Sequence, residues 1–200
     1  LGVSAMQADT SSRGFHYKVP GPLDMRMNQE HGETAAALLA RSSETDIHTM
    51  LTANADEPHA DVIAAILARA RPTTTHALER VVRLGLVAAR PDLTKAAVKG
   101  SVRRTFQALR IAVNDEFAAL DAVLAHLPQV LAPGGRVVVL TFHSGEDRRV
   151  KKAFRGWFSS SGSPKEYIDD NLEMLRERCR DLYMGAPIAT GAIKTIRTNV

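Results

Sequence analysis

The spacing of apolar residues changes several times along this 200-residue chain. Through Asn28 it has no period. Turn formers in Ser11-Ser12-Arg13-Gly14 and Pro20-Gly21-Pro22 bracket Phe15-His16-Tyr17, which predicts a structured loop. Within that loop Leu23, Met25 and Met27 alternate with Asp24 and Arg26, the pattern of a short strand or turn carrying a surface ion pair. From Gln29 to about Arg90 the spacing becomes helical. Ala35, Leu38 and Leu39 share a face, Ser43 and Asp46 form a capping-box start for Thr45 to Ala53, and Pro58 opens a helix that buries Val62, Ile63, Ile66 and Leu67 before Pro72 stops it. Thr74 or Thr75 caps a further helix bearing Leu78, Val81, Val82 and Leu86, and Pro91 to Gly100 reads as the exit linker of this module.

The strongest periodic signal follows. Phe106, Leu109, Val113, Phe117, Leu120, Leu124 and Leu127 recur three or four residues apart, predicting one long helix with a buried stripe. Beside it Arg103, Gln107, Arg110 and Asn114 share a second face made wholly of hydrogen-bonding side chains, either a solvated surface or the lining of a cleft. Pro133-Gly134-Gly135 predicts a tight turn into Val137-Val138-Val139-Leu140, a β-branched run suited to burial on both faces of a parallel sheet. That strand runs out into Thr141-Phe142-His143-Ser144-Gly145-Glu146-Asp147, and open α/β sheets bind ligands just beyond the carboxyl ends of their strands. The next helix carries Arg148, Arg149, Lys151, Lys152 and Arg155 among Phe154, Trp157 and Phe158. Cations would meet phosphates and rings would meet bases, or the rings dock into the core. Ser159 to Pro164 reads as a loop, Lys165 to Leu182 as helix, and Gly185 to Val200 follows no pattern.

Composition narrows the classes. With 44% hydrophobic and 24% charged residues the chain is an ordinary globular one, and a net charge of +4 tolerates an anionic partner without requiring it. No apolar run approaches the roughly 20 residues that cross a bilayer, so a soluble chain with no membrane partner is expected. The lone Cys179 can make neither an internal disulfide nor a zinc site, which favours a reducing compartment, the cytoplasm or an organellar matrix. A chain that opens on Leu1 reads like an internal cut. There is no P-loop, nucleophile elbow or paired-histidine metal helix, and no metal is expected at His143, Glu146 and Asp147.

Several stretches then act together: Leu1-Gly2-Val3-Ser4 with Gln7, Arg13-Gly14-Phe15, Gly21-Pro22-Leu23-Asp24-Met25-Arg26-Met27, the unbroken run from Arg104 to Asn114, and Phe142-His143-Ser144 with Glu146-Asp147-Arg148. They resemble the RsmH (MraW) family of S-adenosylmethionine-dependent methyltransferases, which methylate the exocyclic amino group of a cytosine in small-subunit ribosomal RNA. The resemblance implies an α/β fold, a Rossmann-like class I methyltransferase domain interrupted by a small all-helical insertion. Residues 1–28 would be a cofactor and substrate loop segment, 29–100 the insertion that recognises substrate, and 101–200 the C-terminal half of the methyltransferase domain. The family's glycine-rich turn and acidic ribose-binding residue would precede Leu1.

The site expected from this resemblance has three parts. Leu1, Gly2, Val3 and Gln7 would contact S-adenosylmethionine. Ser4, Asn114 and His143 would act on the reacting base, the backbone of Gly2 to Ser4 accepting from its amine. Arg26, Arg104, Gln107, Arg110, Ser144, Arg148, Arg149, Lys151 and Lys152 would hold ribosomal RNA on the small subunit, and a homodimer is an open expectation. A cytosine amine is a poor nucleophile facing an already activated methyl, so positioning would carry most of the catalysis. The sequence departs from the family pattern at Pro20, at Gly100 to Arg103 and at Gly145, and it ends short of the family's usual basic tail. Two alternatives stand beside this reading: a non-catalytic RNA- or ribosome-binding fragment, and a methyltransferase acting on DNA amino groups.

Overall fold

The computed structural model describes residues 10–132, 136–161 and 193–197. These divide into two packed units, one whose described part is residues 10–116 and one that begins at Phe117.

The first unit is built on five helices: α1 (Ala35–Arg41), α2 (Glu44–Ala55), α3 (Ala60–Ala70), α4 (Thr75–Ala89) and α5 (Lys95–Asn114). Their starts follow the chemistry of the orphan N–H groups in a first turn. Thr34, Thr74 and Thr94 each accept from the backbone N–H three residues on, and Ser43 with Asp46 closes a full capping box. Leu39, Ile47, Leu51, Ile63, Leu67, Leu78, Val82, Leu86 and Leu109 are buried together as the core.

Residues 10–27 belong to that core. A single 3-10 turn, Ser11–Arg13, opens the segment, and Leu23 and Met25 lie buried among the helices. The Leu23 N–H donates to Thr73 O, and the N–H groups of Ala35 and Ala36 donate to Asp24 O and Leu23 O, which stitches the segment across the start of α1. Two close approaches make this possible. A Cβ at Gly14, whose φ is +68°, would stand 2.2 Å from Pro22 O, and one at Gly21 would stand 1.9 Å from Ser11 O. The expected division at residue 28 therefore falls inside one packed unit.

Two more expectations change here. Pro91 to Gly100 is only half linker: Thr94 caps α5, and Gly100 lies buried inside that helix. The predicted long helix is two helices. It breaks at Asp115, which takes a left-handed conformation (φ 48°, ψ 42°), and α6 (Glu116–Val130) begins after it. Asn114-Asp115 is where a break is easiest, because both residue types compete with the helical backbone and Asp tolerates positive φ. The stripe survives the break, but Phe106 and Leu109 fill the core of the first unit while Leu120 and Leu124 fill that of the second.

In the second unit α6, β1 (Arg136–Leu140) and α7 (Ser144–Ser161) enclose Leu120, Leu124, Val150 and Phe154. The parallel pairing expected for β1 is not what is described. β1 pairs antiparallel with β2 (Ile193–Arg197), Arg136 opposite Arg197 and Leu140 opposite Ile193. Val137 and Val139 pack on the core while Val138 is 48% exposed, the alternation of a strand covered on one face. β2 lies in a stretch where no pattern was legible, and α7 continues through Ser159, where a loop was expected. The turn expected at 133–135 and the helix expected at 165–182 lie outside the described residues.

Candidate functional site

Two clusters in two units carry the site chemistry. In the first unit the strap formed by Leu23 to Met27 is clamped from three sides. Met25 is fully buried with φ +65°, a left-handed conformation uncommon for an unbranched apolar residue. Its N–H donates to Arg13 O. Its carbonyl accepts from Asn114 Nδ2 at 2.7 Å, and Asn114 Oδ1 accepts from Met27 N at 2.6 Å. Arg13 Nη1 donates to Met27 O at 3.0 Å. Asp24 and Arg26 form a two-pronged ion pair at 2.8 and 2.9 Å, and Asp24 also accepts the Arg26 N–H. Backbone strain of this kind persists only where the surroundings over-determine it. The Arg26 guanidinium beside Asp24 holds the Asp24 carboxyl below its usual range, more than offsetting the rise from burial.

The hydrogen-bonding face of α5 is engaged within the same unit. Arg104 Nε donates to Glu57 Oε2 at 2.7 Å. Glu57, whose side chain is fully buried, also accepts from Ser101 Oγ at 2.8 Å and from His59 N at 3.0 Å. Gln107 Nε2 donates to Asn54 O at 3.3 Å. Arg110 makes a two-pronged pair with Glu116 at 2.7 and 3.0 Å. Of the face expected to bind, Gln107, Arg110 and Asn114 are engaged, whereas Arg103 is exposed. Glu57 and Glu116, absent from the sequence-based set, are the carboxylates that engage α5, as Arg13 is the unforeseen partner of the strap. Glu57 gave no periodic signal, since it lies in the short connection between α2 and α3.

In the second unit the cluster expected beyond β1 is assembled on the first turn of α7. His143 stands at the N-cap: its carbonyl accepts from Asp147 N at 3.2 Å, and its Nδ1 accepts from Glu146 N at 3.4 Å. The Nε2 atom is buried and lies 3.3 Å from Glu146 Oε1, within ion-pair reach but outside hydrogen-bond alignment. Glu146 is anchored by the Phe142 N–H at 2.8 Å. Burial pushes its carboxyl up, but His143 and that N–H together outweigh burial and hold it below its usual range. Asp147 gives one oxygen to an ion pair with Lys151, and its Oδ1 is buried without a partner among the described residues. So one turn of helix presents His143 Nε2, buried and facing Glu146 Oε1, and an acceptor, Asp147 Oδ1, buried; neither has an aligned hydrogen-bond partner among the described residues. Such atoms are costly unless a ligand completes them.

Gly145 fits this crowding. A Cβ there would lie 2.7 Å from the Phe117 ring, which packs against His143 with centroids 5.9 Å apart. The Arg149 guanidinium sits over the same Phe117 ring, 4.1 Å from its centroid, and pairs with Asp121. Arg148 and Lys152 are exposed, as is Ser144 at the start of the helix. Of the aromatics in α7, Phe154 is buried and Trp157 packs on it at 4.9 Å, so both serve the core. Leu1, Gly2, Val3, Ser4 and Gln7 lie outside the described residues. Among the described residues no three His, Cys, Asp or Glu side chains converge as metal ligands, and no helix is long and apolar enough to cross a membrane.

Comparison with known proteins gives one family. Residues 1–183 match the MraW methylase family. A protein named ribosomal RNA small subunit methyltransferase H 1 from Lachnoclostridium phytofermentans is 44% identical over 184 residues, 90% of this chain and 50% of its own length. One named methyltransferase H 2 from Alkaliphilus metalliredigens is 43% identical over 90% of the chain and 52% of its own length. The Myxococcus xanthus methyltransferase H is 48% identical over 78% of the chain and 49% of its own length. The chain thus spans about half the length of the curated relatives it matches.

Proposed function

The chain belongs to the MraW methylase family, and from that premise we propose that it works in the transfer of a methyl group from S-adenosylmethionine to the exocyclic amino group of a cytosine in small-subunit ribosomal RNA. The fold that goes with this reading is a Rossmann-like class I methyltransferase domain with a helical insertion. The observation that carries the site is the pair of buried atoms on the first turn of α7, His143 Nε2 and Asp147 Oδ1, that have no aligned hydrogen-bond partner among the described residues.

A cytosine edge offers an amino donor beside a ring-nitrogen acceptor. Asp147 Oδ1 accepts from the amine, and His143 Nε2–H donates to the neighbouring acceptor, so both orphan atoms are satisfied at once. Glu146 fixes the imidazole through its backbone N–H and keeps its carboxylate near Nε2. An acceptor facing the amine favours its rehybridisation as its lone pair leaves conjugation, and the same carboxylate is placed to hold the departing proton. Arg148, Arg149, Lys151 and Lys152 supply phosphate contacts beside this turn, with Ser144 at the helix start. In the other unit Arg26, Arg104, Gln107, Arg110 and Asn114 hold the strap and α5 as a frame for RNA.

The cavity between α4 and α5 does not suit the cofactor: it is rimmed by Arg83, Lys95 and Lys99 against Glu79, the wrong sign for a sulfonium cation. Cofactor contacts rest with Leu1 to Ser4 and Gln7 under this reading.

Methyl-labelled S-adenosylmethionine, small ribosomal subunits and a full-length protein carrying this sequence test the proposal. Label is expected on the amino group of a cytosine in the subunit's RNA, and label confined to protein or DNA would overturn it.

A further inference from the structure

A cavity of about 470 Å³ opens between α4 and α5, wholly within the first unit. Glu79, Arg83 and Val87 follow one another at four-residue steps along α4, so they share one face, and Lys95, Val98, Lys99 and Val102 share a face of the first two turns of α5. Leu93 and Tyr17 close the remaining walls. The floor is apolar. Val98 and Val102 are nearly inaccessible, and Val87 at the mouth is 51% exposed. Tyr17 is half-buried, braced edge-on against Phe106 at 5.9 Å, so its position is fixed by the core.

The mouth is polar in one sense only. Arg83 is neutralised by Glu79 at 2.7 Å. Lys95 and Lys99, one turn apart and exposed, make no ion pair among the described residues. Such a volume suits a small ligand or one protruding group of a larger one. Its complement is a flat or apolar body with an anion attached directly beside it. An aliphatic side chain would satisfy the floor and leave the lysines unused, and a phosphate alone would leave the floor empty.

We propose that this cavity is an anchoring site for one unstacked nucleotide of single-stranded RNA, the base lying against Tyr17 and the valines and the 5′-phosphate meeting Lys95 and Lys99. The proposal rests on the RNA substrate argued above and adds a second point of attachment, in the helical unit. Apolar walls cannot read hydrogen bonds on a base edge, so the site accepts any base and takes a nucleotide flanking the target rather than the target itself. It fixes where the RNA lies; the first turn of α7 decides what is methylated.

The test uses the 200-residue chain with labelled valine methyl groups, titrated with cytidine 5′-monophosphate, adenosine 5′-monophosphate and cytidine. Both nucleotides should shift the Val98 and Val102 methyls, with affinities within about threefold of each other because stacking is sequence-tolerant. Cytidine should bind at least about fivefold more weakly for want of the charge contacts, and the double substitution Lys95→Gln, Lys99→Gln should erase that difference. A single-stranded octaribonucleotide should lose at least about fivefold in affinity on Val87→Asp, which places an anion in the apolar mouth without touching the core. Val87, Lys95 and Lys99 are all exposed, so unchanged melting temperatures are expected alongside. Methyls that ignore both nucleotides, or respond equally to cytidine, overturn the anchor, as does a response to an acidic, leucine-bearing peptide in their place. If the oligonucleotide binds and the substitutions change nothing, the anchor falls and RNA recognition stands; if it does not bind at all, both fall.

Discussion

Asn114 holds the carbonyl of Met25, 89 residues earlier in the chain, at 2.7 Å. The bond pins a fully buried residue in a left-handed conformation, and the same amide accepts from Met27. Asn114→Ala leaves a carbonyl and an N–H unpaired in a half-buried setting and should cost about 2 kcal/mol or more in chemical denaturation. Asn114→Asp keeps the acceptor for Met27 but turns a carboxylate toward the carbonyls of Met25 and Arg110, which Nδ2 now serves. That variant should be at least as unstable at neutral pH and recover in acid as the carboxyl protonates. An alanine variant as stable as the parent would remove the clamp from the argument.

Arg104 is expected to matter for folding before it matters for RNA. Removing it with Arg104→Ala leaves Glu57 a buried carboxylate with only Ser101 and a backbone N–H, and breaking a buried pair from one side costs about 3 kcal/mol. The salt dependence of RNA binding should change little, whereas Lys152→Gln should lower the slope of log affinity against log salt by up to about 1 with no loss of stability. The opposite pattern, a stable Arg104 variant with a shallower slope, would assign Arg104 to phosphate.

Acid should undo the strap in a defined direction. The Asp24 carboxyl lies below its usual value in the folded chain, chiefly through its bond to Arg26. A depressed carboxyl stabilises the fold above its unfolded value, about pH 4, and that contribution is lost as pH falls through the folded value. Arg26→Gln should therefore lower stability at neutral pH and flatten the acid limb, bringing the two proteins together by about pH 2. Parallel acid limbs for parent and variant would show that the pair does not titrate as described.

The first turn of α7 can be dissected by comparing His143 with Asp147. In the full-length protein, His143→Ala and Asp147→Asn should each cut turnover on ribosomal subunits at least about tenfold, with cofactor affinity within about twofold, as expected for groups that touch only the base. His143→Asn keeps an N-cap and so should keep stability while losing turnover. Turnover that falls only in step with melting temperature would make His143 a cap and nothing more.

Local chemistry was the part of the structure that the sequence disclosed best. The capping box at Ser43, the cap at Thr74 and the polar cluster beyond β1 depend on residues within a few positions of one another, and spacing suffices for those. Partners distant in sequence were hidden. Nothing near Asn114 says that its amide meets Met25, and nothing in the connection after α2 says that Glu57 is the buried counter-ion of Arg104. The antiparallel partner of β1 was missed because its two apolar residues, Ile193 and Ile196, stand three positions apart and leave no two-residue alternation to mark a strand. The stripe through Phe106 and Leu127 was periodic and still misleading, because a single left-handed residue at Asp115 leaves the apolar spacing intact while ending one helix and beginning another.

The clamp on Met25 also sets a timetable. On the ribosome the strap emerges before α5, and at roughly 5 to 20 residues per second the 89 residues that separate it from its anchor take roughly 4 to 18 s to make. Through that interval Arg13 alone is at hand to hold Met25 and Met27, and Leu23 and Met25 have only an unfinished core to enter. The nascent strap is thus an exposed apolar segment that its own C-terminal neighbour must rescue, and a synthesis pause placed before Asn114 would lengthen its exposure while one placed after would not.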